Sequence, residues 1–463
     1  MSIPNSFWLT LIQLCLLAGL VRLASSHVEP NTCRETSSIS YTPTCPADGQ
    51  RHDIAREQLL KTIDRNAGKW NKKHPRWQVL EALHGYDKYE KIVGAEIDRF
   101  EGLYKHVPKK HKNWFQILDS VVNYQSNFVE ARALLKINAE FCRKVLHHSL
   151  SYYNISRHEL ATFTHDTDDG KAKSGIRTTV SQSLKHSVRD WSPEGQAERE
   201  ATFPYILDAL TSHLPPISSD ENVKYQVLVP GAGLGRLAHE ISLLGEYMSV
   251  TSNEWSASMN MAYRYLRSLP LSHGPITLHP FLENWSHAER REELTRPVLI
   301  HPPTVPTETL LVEGDFTTKF AHQTGQYDAI ATLFFIDTAR NLIAYLETIH
   351  SLLKPGGIWV NVGPLLYGTA PLVQLSLEEI VIVAESMGFE FEIQEGVEGS
   401  SALDGKVIER DVLYSFNQST LYRHGYIAAC WVARKKKTGN EGVGGKKKVV
   451  GSGMFDKLKE KWL

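Results

Sequence analysis

The chain has 463 residues, of which 42% are hydrophobic and 22% are charged, a balance typical of a globular protein with two or three domains. Its formal net charge of -1 at pH 7 gives no sign of a nucleic-acid-binding surface, so nucleic acid is not an expected partner. The five cysteines do not stand at metal-ligand spacing, and no metal site is predicted.

The chain begins with an apolar run, Phe7–Val21, that is followed by small residues. The run is too short to span a bilayer comfortably, so residues 1–26 are predicted to be a secretory signal peptide and no transmembrane span is expected. In the linker that follows (27–52), Cys33 and Cys45 could pair in an oxidising compartment. The alternative is an N-terminal extension on an enzyme of the cytoplasm and nucleus. Glycosylation sequons begin at Asn154, Asn284 and Asn417.

Residues 53–183 are predicted to form an N-terminal α-helical domain, because apolar side chains recur there at three- and four-residue spacing. Trp114, Phe115 and Leu118 begin one such apolar face. We interpret these aromatic residues as core and not as a ligand-binding site.

The most informative stretch begins with the apolar run Tyr225–Val229, which leads into a turn with Gly231, Gly233 and Gly235. Apolar residues at helical spacing follow the turn. A strand, a glycine turn and a helix in this order begin a doubly wound α/β sheet, in which the glycines let the backbone approach a nucleotide. The alternative is a turn that only packs the helix on the strand.

The next β run ends at Glu254, about 20 residues past the glycines, where such folds place an acid that binds the ribose hydroxyls. The glycine spacing is G-x-G-x-G, whereas nicotinamide dinucleotide sites usually have G-x-G-x-x-G. S-adenosylmethionine has no phosphates and needs only a close backbone turn and a partner for its carboxylate. The spacing therefore favours S-adenosylmethionine over a nicotinamide cofactor.

Two polar residues stand just before the α/β segment, His186 and Arg189, three positions apart and so on one face of a helix. Arg189 could hold the methionine carboxylate by a two-pronged hydrogen bond. An ion pair between Arg189 and a neighbouring acid is the alternative.

Two later stretches are expected at the ligand crevice. In Gly314-Asp-Phe316, Asp315 can accept from an adenine amino group while Phe316 covers the ring. The run Tyr327–Asp337 is typical of a buried parallel strand, whose carboxyl end should lie at the crevice.

Residues 184–435 are thus predicted to form a methyltransferase domain with a doubly wound Rossmann-like sheet of the α/β class. Two late β runs, Phe389–Gln394 and Tyr426–Ala433, should close the sheet as an antiparallel hairpin. The tail over 436–463 is basic and glycine-rich and is predicted to be disordered.

Taken together, these segments resemble the carnosine N-methyltransferase family over roughly residues 55 to 435. The Val-Pro-Gly start of the glycine turn replaces the acid that most methyltransferases carry there, which makes the resemblance specific. The segments that carry it are Val188–Ser192, Val229–Ala238, Asn253–Ser256, Gly314–Phe316, Phe334–Ala339, Leu353–Trp359 and Gly363–Tyr367.

The resemblance implies a methyl transfer from S-adenosylmethionine to an imidazole nitrogen of a histidyl dipeptide such as carnosine, giving anserine. It implies that Asp337 and Tyr426 bind the substrate. Gly368 stands where the family has a substrate-binding histidine, and this departure bears on the dipeptide specificity. The residues implied to hold the cofactor are His186, Arg189, Gly231, Gly233, Gly235, Glu254, Asp315, Phe316 and Leu333.

Asp337 is also the predicted catalytic residue. An imidazole must present a lone pair to the methyl group, and a carboxylate beside its opposite N–H would fix the tautomer and stabilise the developing cation. The alternative role is a helix N-cap, because a helical run follows Asp337.

Two other functions remain open on the sequence. One is methylation of another small-molecule, peptide or protein histidine acceptor, suggested by Gly368. The other is a non-catalytic methyltransferase-like protein of the secretory pathway. The sequence does not indicate an oligomeric state.

Overall fold

The computed structural model describes residues 49–118, 122–167, 174–217, 223–283, 285–305, 307–368, 370–397, 399–414 and 420–437, all within one compact unit, Pro43–Leu463. The predicted signal peptide, the Cys33 and Cys45 pair and the basic tail after its first two residues lie outside the described residues, as do Asn284 and Asn417 of the sequons. Within the described part of the chain, no helix is both long and apolar enough to cross a membrane.

The N-terminal part is helical, as its apolar spacing predicts. The two longest helices, α2 and α4, pack on each other and bury one face each, with Leu83 and Val93 on α2 and Phe128 and Val145 on α4. The bounds are α1 (Gly49–Thr62), α2 (Pro75–Lys105), α3 (Lys109–Ile117), α4 (Tyr124–Tyr152), α5 (Arg157–Thr167) and α6 (Ser174–Trp191).

One part of this prediction is wrong. Helix α3 buries none of its residues, and the Trp114 side chain is 63% exposed and not in the core. The spacing of Trp114, Phe115 and Leu118 fits a helix face, but spacing alone does not say whether another element covers that face.

A mixed sheet forms the second part of the fold. The strand order is β5-β2-β1-β6-β7-β11-β10-β9, with β8 also paired to β11. The pairs from β5 to β7 are parallel, and those made by β11 are antiparallel. These strands are β1 (Tyr225–Pro230), β2 (Met248–Glu254), β5 (Leu310–Glu313), β6 (Tyr327–Leu333), β7 (Leu353–Gly363), β8 (Phe389–Phe391), β9 (Ser400–Ala402), β10 (Val407–Leu413) and β11 (Gly425–Lys435). A separate hairpin joins β3 (Ile276–Leu278) and β4 (Val298–Ile300).

Helices cover both faces of the sheet, which confirms the doubly wound α/β prediction. Adjacent residues of β1 belong to opposite cores: Val227 packs with α7 and α8, and Leu228 packs with α12 and α13. The helices of this part are α7 (Gln196–His213), α8 (Arg236–Ser242), α9 (Ala257–Ser268), α10 (Glu292–Thr295), α11 (Phe316–Lys319), α12 (Leu342–Leu352) and α13 (Leu377–Met387).

One strand prediction is wrong and another is incomplete. Strand β6 ends at Leu333 and not at Asp337, because Phe334 has a left-handed backbone with φ of 49° and a 3-10 turn, Ile336–Thr338, follows. The two late runs do pair antiparallel, as β8 with β11, but β11 also pairs antiparallel with β10, a strand that the sequence reading missed. Its charged Glu409, Arg410 and Asp411 hide the alternating pattern of a half-buried strand.

Candidate active site

A cleft of about 1230 Å³ opens at the carboxyl ends of β1, β2, β5 and β6. This is the edge at which ligands bind in open α/β sheets. Most of the predicted site residues line it, but Gly235, Asp337, Gly368 and Tyr426 do not. Those that line the cleft are His186, Arg189, Gly231, Gly233, Glu254, Asp315, Phe316 and Leu333.

The three turn glycines all have left-handed backbones, with φ of 66° at Gly231, 57° at Gly233 and 75° at Gly235. A Cβ at Gly231 would clash with the Phe335 ring, and one at Gly235 would clash with Tyr263. Gly235 therefore has a packing role and, contrary to the prediction, does not line the cleft. Gly233 alone faces open polar space.

At Gly233 an added Cβ would lie 3.4 Å from Nη2 of Arg189 and 3.8 Å from Nδ1 of His186. These contacts would place a side chain in the part of the cleft that the two polar residues border. The packing alternative therefore holds at Gly231 and Gly235, and the approach of the backbone to a nucleotide stays a prediction for Gly233. Gly231 and Gly235 serve packing, and Gly233 keeps a space open.

Glu254 ties the end of β2 to the glycine turn. Its Oε2 accepts from the backbone N–H of Gly233 at 2.9 Å, and its Oε1 accepts from that of Ser256 at 2.7 Å. Burial raises the pKa of Glu254, and these amide bonds oppose the rise. Each carboxylate oxygen has further lone pairs that can accept from ribose hydroxyls.

Arg189 is held by its neighbour in the chain. Its Nε and Nη2 donate to the carboxylate of Asp190 at 2.7 and 3.3 Å, so the ion-pair alternative is correct. Asp190 keeps the pKa of Arg189 above its usual value, although burial opposes this. Among the described residues, Nη1 of Arg189 has no such bond, and it remains available for a ligand carboxylate.

Asp190 is a site residue that the sequence reading missed. Its Oδ2 also accepts from the backbone N–H of Leu234 at 3.2 Å, and the Trp191 indole donates to the Leu234 carbonyl at 2.9 Å. The end of α6 is thereby fixed on the glycine turn at two adjacent residues. The only signal in the sequence was an acid directly after Arg189.

His186 is neutral at physiological pH. Burial and, to a smaller extent, the nearby Arg189 charge lower its pKa to about 3. The imidazole therefore contributes shape and hydrogen bonding to this part of the cleft, and no positive charge.

Asp315 and Phe316 follow β5 at the far end of the cleft. Asp315 is exposed and caps α11, since its Oδ1 accepts from the backbone N–H of Thr317 at 2.8 Å. Phe316 is only 3% exposed and packs edge-on against Phe335, with ring centroids 5.4 Å apart. Phe316 is thus a packed part of the cleft wall.

Asp337 lies in the 3-10 turn after β6, and its Oδ2 accepts from the backbone N–H of Leu366 at 3.0 Å. Burial raises its pKa to about 6, while amide hydrogen bonds, first that of Leu366, oppose the rise. The N-cap alternative is wrong, because α12 starts after Asn341. Asp337 instead connects its turn to the stretch over 364–368, which includes Gly368.

Gly368 is exposed, and an added Cβ there would meet no atom of the described residues within 4 Å. The loop thus has room for a larger side chain at this position. Tyr426 lies behind the cleft, with its ring 6.2 Å from that of Phe334 and 5.9 Å from that of Tyr414.

Phe334 and Tyr414, which do line the cleft, were not predicted as site residues. Their ring centroids are 5.0 Å apart. The positive φ of Phe334 is uncommon for an aromatic residue, and such backbone conformations concentrate at functional sites. The paired phenylalanines at the end of β6 looked like ordinary strand residues in the sequence.

The N-terminal helices also line the cleft, which the sequence reading missed. Thr62 of α1 and Gln78 of α2 are on this wall. The Lys319 ammonium donates to the Thr62 hydroxyl at 3.3 Å, which links the wall to the residues after β5. Contacts between positions more than 200 residues apart leave no local pattern that a sequence reading can detect.

The sequence profile of the carnosine N-methyltransferase family matches residues 167–437. Carnosine N-methyltransferase of Mus musculus is 35% identical over 266 residues, which are 55% of this chain and 62% of the mouse protein. Carnosine N-methyltransferase unmet of Drosophila melanogaster is 34% identical over 265 residues, 54% of either chain. The Dictyostelium discoideum carnosine N-methyltransferase is 30% identical over 325 residues, 66% of either chain. The match to the mouse and fly proteins thus spans little more than half of their length.

Proposed function

The chain belongs to the carnosine N-methyltransferase family, and we propose that it transfers a methyl group from S-adenosylmethionine to an imidazole nitrogen of a histidyl dipeptide such as carnosine. The observation that carries this proposal is the meeting of Gly233, Arg189 and Glu254 in one cleft at the ends of parallel strands. The stretch that matches the family profile, residues 167–437, contains all three residues.

We define the donor side of the cleft as Arg189, Gly233, Glu254, Asp315 and Phe316. The space that a Cβ at Gly233 would fill fits the methionine end of the donor, whose carboxylate Arg189 would bind. Glu254 would accept from the ribose hydroxyls, and Asp315 with Phe316 would hold the adenine. When bound, the donor supplies a methyl group already activated by its sulfonium.

We define the acceptor side as Phe334, Arg340 and Tyr414, which line the cleft, together with Asp337, which lies buried in the turn between Phe334 and Arg340. Phe334 and Tyr414, whose rings are tilted by 39° to each other, offer an aromatic wall to an imidazole ring. Asp337 would accept from the imidazole N–H with the lone pairs that Leu366 leaves, and so orient the other nitrogen toward the methyl group. With a pKa of about 6, Asp337 is mostly ionised at neutral pH and can stabilise the developing cation.

A second candidate function is methylation of a different histidine-containing acceptor, and Gly368 favours it. The open space at Gly368 would admit a larger acceptor, such as a histidine within a peptide.

The test is a transfer assay with labelled donor against carnosine, histidine, histamine and histidine-containing peptides, with products identified by mass spectrometry. We expect carnosine to be the best acceptor. A peptide as the only acceptor would favour the second candidate. Donor binding without transfer to any acceptor would support a non-catalytic binding protein.

We further propose that the chain enters the secretory pathway through residues 1–26. Asn154 supports this, because it is exposed on the surface after α4 and could carry a glycan. Mass spectrometry of the native protein should find a start near His27 and a glycan on Asn154. An intact Met1 with unmodified Asn154, Asn284 and Asn417 would contradict the proposal and favour the cytoplasm and nucleus.

A further inference from the structure

The cations that line the cleft fall into two groups. Arg189 is paired with Asp190, and Lys319 donates to Thr62. Among the residues that the structure describes, the side chains of Arg340 and Lys73 line the cleft without a hydrogen bond or an ion pair. These two cations are therefore available to a ligand.

The backbone of Arg340 is fixed although its side chain is exposed. Its neighbour Ala339 is 1% exposed, Leu342 is fully buried, and its carbonyl accepts from the backbone N–H of Leu372 at 2.6 Å. Arg340 thus lines the cleft from an anchored segment, with an exposed side chain. Arg340 also follows Asp337 by three residues, so both belong to the segment after β6 that forms part of the acceptor side.

The acids of the cleft have partners already. Glu313 accepts from Arg264 at 2.6 Å and from the Tyr153 hydroxyl at 2.8 Å, and Glu254 accepts from two backbone amides. Glu254 and Asp315 accept only from uncharged donors, so charges of both signs in the described cleft lack an ion-pair partner. The unpaired guanidinium among them is that of Arg340, and an anionic group on the ligand would match it. The donor carboxylate has Arg189, so the group must come from the acceptor.

We propose that Arg340 binds the carboxylate of the acceptor and makes the enzyme select histidyl compounds that carry a free carboxylate. This inference rests on the proposed function. A guanidinium matches a carboxylate with two parallel hydrogen bonds, which an ammonium such as that of Lys73 cannot make. Histamine-like compounds, which have the imidazole but no carboxylate, would leave Arg340 unmatched and bind more weakly.

The test compares carnosine with β-alanylhistamine, which is carnosine without its carboxylate. Arg340→Ala should lower kcat/KM for carnosine roughly tenfold to hundredfold, mainly through KM, as expected for losing a charged hydrogen bond. The same variant should leave kcat/KM for β-alanylhistamine and the affinity for S-adenosylmethionine unchanged. Arg340→Lys keeps the charge without the planar fork and should fall between wild type and Arg340→Ala.

Lys73→Ala is the matched control, since it removes the other available cation, and it should behave as wild type on both acceptors. Equal losses on both acceptors, no loss on carnosine, weaker donor binding in Arg340→Ala, or a carnosine-selective loss in Lys73→Ala would each overturn the inference. The assay of the wild-type protein distinguishes a failure of the proposed function from a failure of this inference. If wild type does not methylate carnosine, the proposed function fails and the inference with it, whereas activity without carboxylate selectivity overturns the inference alone.

Discussion

The donor side and the acceptor side of the cleft are built in different ways. The donor side centres on the turn between β1 and α8 and on Glu254, which cross-links that turn only 21 residues later in the chain. The acceptor side joins the residues after β6 to Tyr414, 80 positions after Phe334, and to the loop that contains Leu366. Sequence spacing therefore reports on the donor side far better than on the acceptor side.

The two sides also differ in how their charges are satisfied. On the donor side, Arg189 and Glu254 already have protein partners that fix their positions. On the acceptor side, Arg340 is exposed and Asp337 is held through a single loop amide and its own turn. Preorganised groups suit the methyl donor, which every turnover uses. The acceptor side has fewer protein partners, so the preference between acceptors can change there.

The largest effect should come from Gly233→Val. A branched residue is strained at a φ of 57°, and its side chain would fill the space beside Arg189. We expect calorimetry to detect no binding of S-adenosylmethionine, while circular dichroism shows a folded protein. Gly368→Ala is the matched control, because that glycine is exposed with open space around it. Normal donor binding by Gly233→Val would mean that the turn is only structural.

Asp190→Ala should destabilise the protein by ~3–5 kcal/mol, because it leaves the Arg189 charge uncompensated in a site where the two side chains are 16% and 2% exposed. Donor affinity should fall as well, since Arg189 loses its fixed position. Urea unfolding measures the first effect. Asp315→Ala, which removes an exposed helix cap, should cost only ~1 kcal/mol and serves for comparison. Similar losses in both variants would remove the special role of Asp190.

Asp337→Asn should lower kcat by about 10²–10³ while donor affinity stays unchanged, because the amide cannot offset the positive charge that develops on the imidazole. Steady-state kinetics with carnosine and calorimetry with the donor provide the two readouts. Near-normal turnover would reduce Asp337 to a residue that orders the loop over 364–368.

The Asp337→Asn substitution should also change how the free energy of unfolding depends on pH. Burial raises the pKa of Asp337 from 3.8 to about 6, so its proton favours the folded state below pH 3.8 and that contribution disappears as the pH rises to about 6. His186, with its pKa lowered to about 3, acts in the opposite direction in both proteins. The difference in unfolding free energy between wild type and Asp337→Asn should therefore change between pH 4 and 6 and stay constant above. A constant difference throughout would contradict the raised pKa.

Glu254→Ala should have the smallest effect, a loss of roughly 1–3 kcal/mol in donor binding, the range for hydrogen bonds to a charged group. The glycine turn would keep its shape, because Phe335 and Tyr263 still pack against Gly231 and Gly235. Unchanged donor affinity in a titration would exclude Glu254 from the ribose site.

How much of the structure the sequence could predict depends on how far apart the interacting residues are along the chain. The sheet, the glycine turn and Glu254 are readable because periodicity and spacing are local signals. The early end of β6 depends on the positive φ of Phe334, which no pattern of apolar residues reveals. The helical wall of the cleft and the exposure of Trp114 depend on which elements meet in three dimensions.

The most direct test of the two-sided cleft is a crystal structure of the protein with S-adenosylhomocysteine and carnosine. It should show the adenosine between Glu254 and Asp315, and the imidazole between the Phe334–Tyr414 wall and the sulfur of the donor product. Carnosine bound elsewhere on the protein, or a donor product that makes no contact with Glu254 or Gly233, would contradict the account.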